Sequence, residues 1–406
     1  AFKHATFFGT SPNGGVLAVA GDDHACKSST LPNQSDFAFI DAEMPVLSPA
    51  DVAELIEFGM KGFDLSRFAG LWVGMKAIAD TMDASATVRI DPKRYFTVKP
   101  DGVAVPPGGL NAQLHRTPQQ QEEIQRHFRL PAALAFARAN RFDRVVLDSP
   151  KARIGIAASG KGYLHVRQAL RDLGLGDDDA AALGIRVYKV GLVWPLEETG
   201  ARAFADGLEK VLVVEERRDV VEHQLRAVVY DLPDGRRPLI VGKKDATGAP
   251  LVSDVLDIET ADIALAILRT LPGELKSEHM RTIEAKLARR QAEAAAIVPL
   301  HVRSPYFCSG CPHSTSTRVP EGSRASAGIG CHFLASYMNR NTDTYTQMGG
   351  EGVLWVGQAP FTDEPHIFAN LGDGTYFHSG LLAIRQAIAS GRNITYKILY
   401  NDAVAM

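Results

Sequence analysis

The stretch "HIFANLGDGTYFHSGLLAIRQAIASGRNITYKILYND", residues 366–402, decides the reading of the fold. "HIFANLGDG" is an apolar strand ending at Gly372, with Asp373 set between Gly372 and Gly374. "YFHSGLLAIRQAIAS" then takes helical spacing, which predicts Leu381, Leu382, Ile384, Ala387 and Ile388 on the inward face. Gly391 stops that helix, and "NITYKILYND" is the next strand. A right-handed crossover brings both strand ends to one edge of a parallel sheet. Asp373 and Asn401 are thereby expected side by side, although far apart in sequence. A hard cation such as magnesium takes carboxylate, amide and backbone oxygens, with phosphate and water completing its shell. The C-terminal edge of such a sheet is where phosphate ligands bind. An ordinary capped turn would account for Asp373 but not for the matched Asn401.

The remaining chain is built from similar units. Its 406 residues exceed what a single core supports, so two or three domains are expected. With 45% apolar and 22% charged residues the composition is that of a globular protein. A net charge of −3 without a long basic block argues against nucleic acid or an anionic membrane as a partner. No apolar run is long enough to span a bilayer, and no signal peptide opens the chain. The expected location is cytoplasmic. The chain opens without Met and stops just after a strand end, so a fragment of a longer polypeptide is expected.

Residues 1–80 hold a short buried strand, "GVLAVAG", and a helix in "SPADVAELIEFGMKGFDLSRF" with Ser48 as cap and Pro49 in the first turn. Residues 81–145 read as a linker with peripheral structure. Residues 146–273 alternate strand and helix again, residues 274–299 form a charged helical linker, and residues 300–406 form a last unit. The fold class is α/β, with several doubly wound, mainly parallel sheets.

Two further motifs carry chemistry. "GIAASGKGY" places Gly155, Gly160 and Lys161 at phosphate-loop spacing, but Gly162 stands where a magnesium-binding Ser or Thr is required. With that ligand missing, the stretch reads more simply as a plain glycine-rich turn from strand to helix, which a parallel sheet needs in any case. Cys308 and Cys311 form C-x-x-C in "FCSGCPHST", and Cys331 follows in "GIGCHF". Three thiols so spaced are compatible with an iron–sulfur cluster, with zinc completed by His313 or His332, or with unliganded thiols. Cys26 lies in the polar "GDDHACKSST" and is most simply a packed small residue.

The G-D-G and Asn pair resembles the thiamine diphosphate motif. "CSGCPH" and "GIGC" upstream of it resemble the 2-oxoacid:ferredoxin oxidoreductases, and "GGVLAVAGDDHACKSS" resembles the pyrimidine-binding part of the indolepyruvate branch. The resemblance implies a thiamine diphosphate-binding fold plus a transketolase C-terminal-like domain. It assigns the C-terminal part of the pyrimidine-binding domain to 1–80, the transketolase-like domain to 146–273 and the diphosphate-binding domain to 300–406. It implies thiamine diphosphate at Gly372, Asp373, Gly374, Asn401 and Ala403, with magnesium on Asp373, Asn401 and the Ala403 carbonyl. It also implies a [4Fe–4S] cluster on Cys308, Cys311 and Cys331, with a fourth cysteine and an activating glutamate outside the chain. The implied reaction is oxidative decarboxylation of an aryl 2-oxo acid to its acyl-coenzyme A, with electrons passing to ferredoxin, in a homo-oligomer. His24, Lys27, Ser28, Ser29 and His313 are expected as active-site walls. The alternatives are a non-oxidative thiamine-dependent decarboxylase or synthase, and a non-catalytic, zinc-stabilised α/β module.

Overall fold

A computed structural model describes residues 1–27, 29–298 and 301–400. The chain divides into two compact units, Ala1–Ala296 and Ile297–Met406. The first contains strands β1 (Leu17–Asp22), β2 (Val46–Leu47), β3 (Val73–Ile78), β4 (Arg144–Leu147), β5 (Ile154–Ser159), β6 (Ile185–Val190), β7 (Leu192–Trp194), β8 (Lys210–Val214) and β9 (Leu239–Val241). They form two sheets, ordered β1-β3-β2-β7 and β4-β6-β5-β8-β9. Among these described strands the β2–β7 and β4–β6 pairings are antiparallel and the rest parallel. The second unit has β10 (Ala325–Ala327), β11 (Thr342–Tyr345), β12 (Ile367–Gly372) and β13 (Ile394–Leu399), all parallel, in the order β11-β10-β12-β13. The structure is α/β and mainly parallel, as the alternation of strand and helix requires.

Helix Val52–Ala69 starts later than Ser48 would place it. Asp51 is the cap, its carboxylate accepting the Glu54 N–H at 2.8 Å, and the Glu54 carboxylate accepts the Ala50 N–H in return. This reciprocal pairing satisfies two otherwise orphan donors. Ser48 instead donates its own N–H to the Gly191 carbonyl. Helix Leu130–Ala139 falls inside the stretch read as linker. Its Ala132, Ala133, Phe136 and Ala137 are buried with Leu47 and Val73 of the first sheet and Leu65 of helix Val52–Ala69. Just before it, buried Arg129 donates to the carbonyls of Leu110, Thr6, Phe7 and Phe8 and so ties down the N-terminal helix Phe2–Phe8.

In the second unit β12 and β13 fall where the sequence places them, and Gly391 ends helix Leu381–Ser390 in the left-handed conformation. The inward face differs from the periodicity reading. Ala383 and Ala387 are buried, whereas Leu381, Leu382 and Ile388 are exposed. A π-turn at Tyr376–Gly380 precedes the helix. Its extra residue turns everything downstream by about 100° relative to an uninterrupted helix.

Candidate functional site

The second unit's sheet changes winding direction at β10, with β11 laid on one side and β12 on the other. Loops leaving the carboxyl ends of strands at such a switch point flank a ligand crevice. The loop after β12 starts with Asp373 and Gly374; the loop after β10 carries Gly328, Gly330, Cys331 and His332. These loops touch, since a Cβ on Gly372 would stand 3.5 Å from His332 Cε1. Asp373 Oδ1 accepts the adjacent Gly374 N–H at 2.8 Å.

Two histidines are buried here. His332 is 1% exposed, and burial, reinforced by His313, lowers its pKa to about 4. His313 is also lowered by burial, with the Asp373 carboxylate opposing the shift. Among the described residues, His332 Nε2 and His313 Nδ1 have no hydrogen-bond partner, and neither amide atom of fully buried Asn370 has one. Alternation along β12 sends Phe368, Asn370 and Gly372 to one face. Lys397, paired with Asn370 in register, reaches the Ser316 and Arg318 carbonyls at 2.7 and 2.8 Å, so the segment after His313 covers that face. Buried polar groups normally find partners. These four atoms, unpartnered among the described residues and carried by residues of the loops and strand that meet at Asp373, mark a site built for polar contact.

The thiols lie at the same end. The Cys311 N–H donates to the Cys308 carbonyl at 3.1 Å, closing a tight turn. Cys331 is near enough for Cys311 and Cys308 to help burial raise its pKa. The three are brought together, but among the described residues no group of three or more His, Cys, Asp or Glu side chains is arranged to hold a metal ion. Glu351, in "GGEG", is a buried carboxyl that was not singled out. Its Oε2 accepts the Gly349 N–H at 2.7 Å, and a Cβ on Gly328 would overlap its unpartnered Oε1. The pattern of an acid between glycines that marked Asp373 would have found it.

The other expected residues lie in the first unit. His24 is buried, its Nδ1 at 2.9 Å from the Asn33 carbonyl and its Nε2 at 3.7 Å from Glu216, and burial lowers its pKa. Lys27 pairs with Asp80, and the Ser29 N–H donates to Asp23. Ser28, Asn401 and Ala403 lie outside the described residues. Lys161 of the phosphate-loop-like turn is bound to Asp80 at 2.5 Å and to Glu216 at 3.2 Å. Gly160 has φ 50°, and a Cβ there would sit 2.6 Å from Ser48 Oγ. The lysine and the turn thus join the first unit's two sheets, and the plain glycine-turn reading holds for the structure as it stands.

Fold and crevice together define an α/β protein with a carboxylate, two neutral histidines and three thiols at the strand ends of its second unit. The comparisons with known proteins take this further. A family model for the indolepyruvate oxidoreductase domain matches residues 144–295. Indolepyruvate oxidoreductase subunit IorA of Thermococcus kodakarensis is 27% identical over 98% of this chain and 61% of its own length. IorA of Pyrococcus abyssi is 27% identical over 97% and 60%. A solved 2-oxoglutarate:ferredoxin oxidoreductase of Magnetococcus marinus, with 2-oxoglutarate, coenzyme A and succinyl-CoA bound, aligns at a TM-score of 0.45 and 18% identity, covering 67% of this chain and 50% of that one. The chain is similar along nearly its whole length to these indolepyruvate oxidoreductase subunits, and it spans about three fifths of their length.

Proposed function

We propose that this chain is the thiamine-binding portion of a 2-oxoacid oxidoreductase that acts on an aryl 2-oxo acid of the indolepyruvate type. The observation that carries the reading is the position of Asp373: a glycine-flanked carboxylate at the switch point of a parallel sheet, against a thiol-bearing loop. The residues present suit the group. Gly372 leaves the main chain open, Asp373 supplies a hard oxygen for a divalent cation, and Asn370, His313 and His332 offer unpartnered polar atoms. By resemblance Gly374, Asn401 and the Ala403 carbonyl complete the binding set. When bound, thiamine diphosphate supplies the carbanion chemistry that releases carbon dioxide from a 2-oxo acid.

The protein's own contribution is binding and tuning. Asp373 anchors the cation and through it a diphosphate. His332, held neutral by burial, donates or accepts a hydrogen bond without adding charge. Cys308, Cys311 and Cys331 are the ligands proposed for a [4Fe–4S] cluster that passes electrons to ferredoxin. Coenzyme A is the proposed acyl acceptor, in a cytoplasmic homo-oligomer. In domain terms, residues 300–406 are the diphosphate-binding domain and 146–273 the transketolase-like one.

Titration of the 406-residue chain with thiamine diphosphate tests this. Binding is expected to require magnesium and to weaken at least tenfold in Asp373→Asn. Binding that is indifferent to magnesium or to this substitution rejects the reading. Iron analysis of the anaerobically isolated chain separates the oxidative reaction from a non-oxidative decarboxylase. Iron is expected and should be lost in Cys308→Ser/Cys311→Ser.

A further inference from the structure

We infer that the second unit carries another anion site, on the edge of its sheet where the strands begin, suited to a phosphate-bearing small molecule. A cavity of about 510 Å³ lies there, lined by Tyr306, Arg318, Asn339, Arg340 and Asn341 among others, and no carboxylate lines it. Asn341 immediately precedes β11, and its carbonyl accepts the Ala325 N–H at the start of β10. Asp373 follows the last residue of β12, at the opposite end of the same parallel sheet. The volume falls within the range of small-molecule pockets, roughly 300–1,000 Å³.

Arg340 is the central group. It is only 9% exposed, yet among the described residues it has no carboxylate partner. Its Nη1 is fixed by the Ser314 carbonyl at 2.8 Å and Thr317 Oγ1 at 3.1 Å, and its guanidinium carbon stands 5.7 Å from the centre of the Phe307 ring. These contacts hold the fork in place and use one of its nitrogens, leaving Nε and Nη2 without a protein acceptor among the described residues, on a residue that lines the cavity. Burying a guanidinium without a counter-charge is costly unless a ligand supplies one. Arg318 adds a second cation to the same wall, likewise without a carboxylate partner among the described residues. Two guanidinium groups with asparagine amides and a tyrosine are donors matched to the tetrahedral oxygens of a phosphate. A protein carboxylate docking from outside would need the same charges on an open surface; here the principal arginine is recessed.

The site is independent of the thiamine reading, and the test keeps the two apart. Inorganic phosphate is titrated into the full chain in the presence of EDTA, with binding read by calorimetry and by ³¹P line width. The wild type is expected to bind. Arg318→Glu, a change at an exposed position, should weaken binding at least tenfold while leaving the far-UV circular dichroism and melting temperature unchanged. Asp373→Asn should bind as the wild type does. Absence of binding to the wild type at millimolar phosphate, equal affinity in Arg318→Glu, or loss in Asp373→Asn would each overturn the assignment.

Discussion

Asp143 shows what one buried carboxyl does to a fold of this kind. It sits where the chain passes from β6 of one sheet to β7 of the other, and its Oδ1 accepts the N–H groups of Gly191 and Leu192 at 2.7 and 2.9 Å. Its Oδ2 has no partner, and burial raises its pKa to about 7 against the opposing pull of those two bonds. The raised value fixes the sign of the pH effect. The folded state keeps a proton that the unfolded chain releases near pH 4, so the stabilisation is complete below that pH and is lost as pH rises to about 7. Asp143→Asn keeps an acceptor for both N–H groups and cannot ionise. Its melting temperature should match the wild type near pH 3.5 and exceed it by a growing margin up to pH 8, equivalent to roughly 2–4 kcal/mol. Thermal melts across that range check this; a margin that shrinks with pH would refute the assignment.

At the scale of elements, Asp51 is the clearest case of a local signal read one turn too early. Ser48 and Pro49 have the composition of a helix start, but tertiary pairing of Ser48 with Gly191 draws it away, and the cap passes to the next acidic residue. Asp51→Ala should cost about 1 kcal/mol, as for other lost caps, and Ser48→Ala should cost the helix less; denaturant unfolding of the two variants separates them. The second unit teaches the same lesson about register. The strand ends, the helix stop at Gly391 and the crossover were legible because they depend on glycine and on apolar runs. The inward face of helix Leu381–Ser390 was not, because a π-turn leaves no periodic mark in sequence. The site divides likewise. Asp373 and the thiols were visible as motifs, and Glu351 could have been; Asn370, buried without a partner among the described residues, and Arg340, buried without a carboxylate, draw their meaning from packing alone. Arg129 belongs with them: four carbonyls from two segments converge on it. Arg129→Ala would leave those acceptors buried and should cost about 3–5 kcal/mol, with faster amide exchange in residues 2–10 as the local readout.

At the scale of the whole molecule, the first unit's two sheets exchange a strand and share a core, while the sequence alternation of residues 146–273 reads as a unit of its own. Strand β7 leaves the second sheet to pair with β2 of the first. One apolar cluster also runs across both, placing Phe39, Ala42, Met44 and Val46 of the first sheet's segment against Tyr188, Val190, Val193 and Leu196. Lys161, reaching Asp80 and Glu216, adds a polar fastening between the strand ends of the two sheets. Cut at residue 146, the remaining piece would lose the partner strand of β7 and expose the apolar face that Phe39 and Met44 cover. Large apolar side chains each contribute about 1.5–3 kcal/mol on burial, so losing several exceeds the margin by which a domain of this size is stable. A fragment of residues 1–296 is therefore expected to unfold in one cooperative thermal transition, whereas residues 146–296 alone should bind a hydrophobic dye and melt broadly or associate. Calorimetry of the two fragments side by side decides the matter: equal, sharp transitions would mean that the shared cluster and the exchanged strand contribute nothing, and that the second sheet folds as a domain of its own.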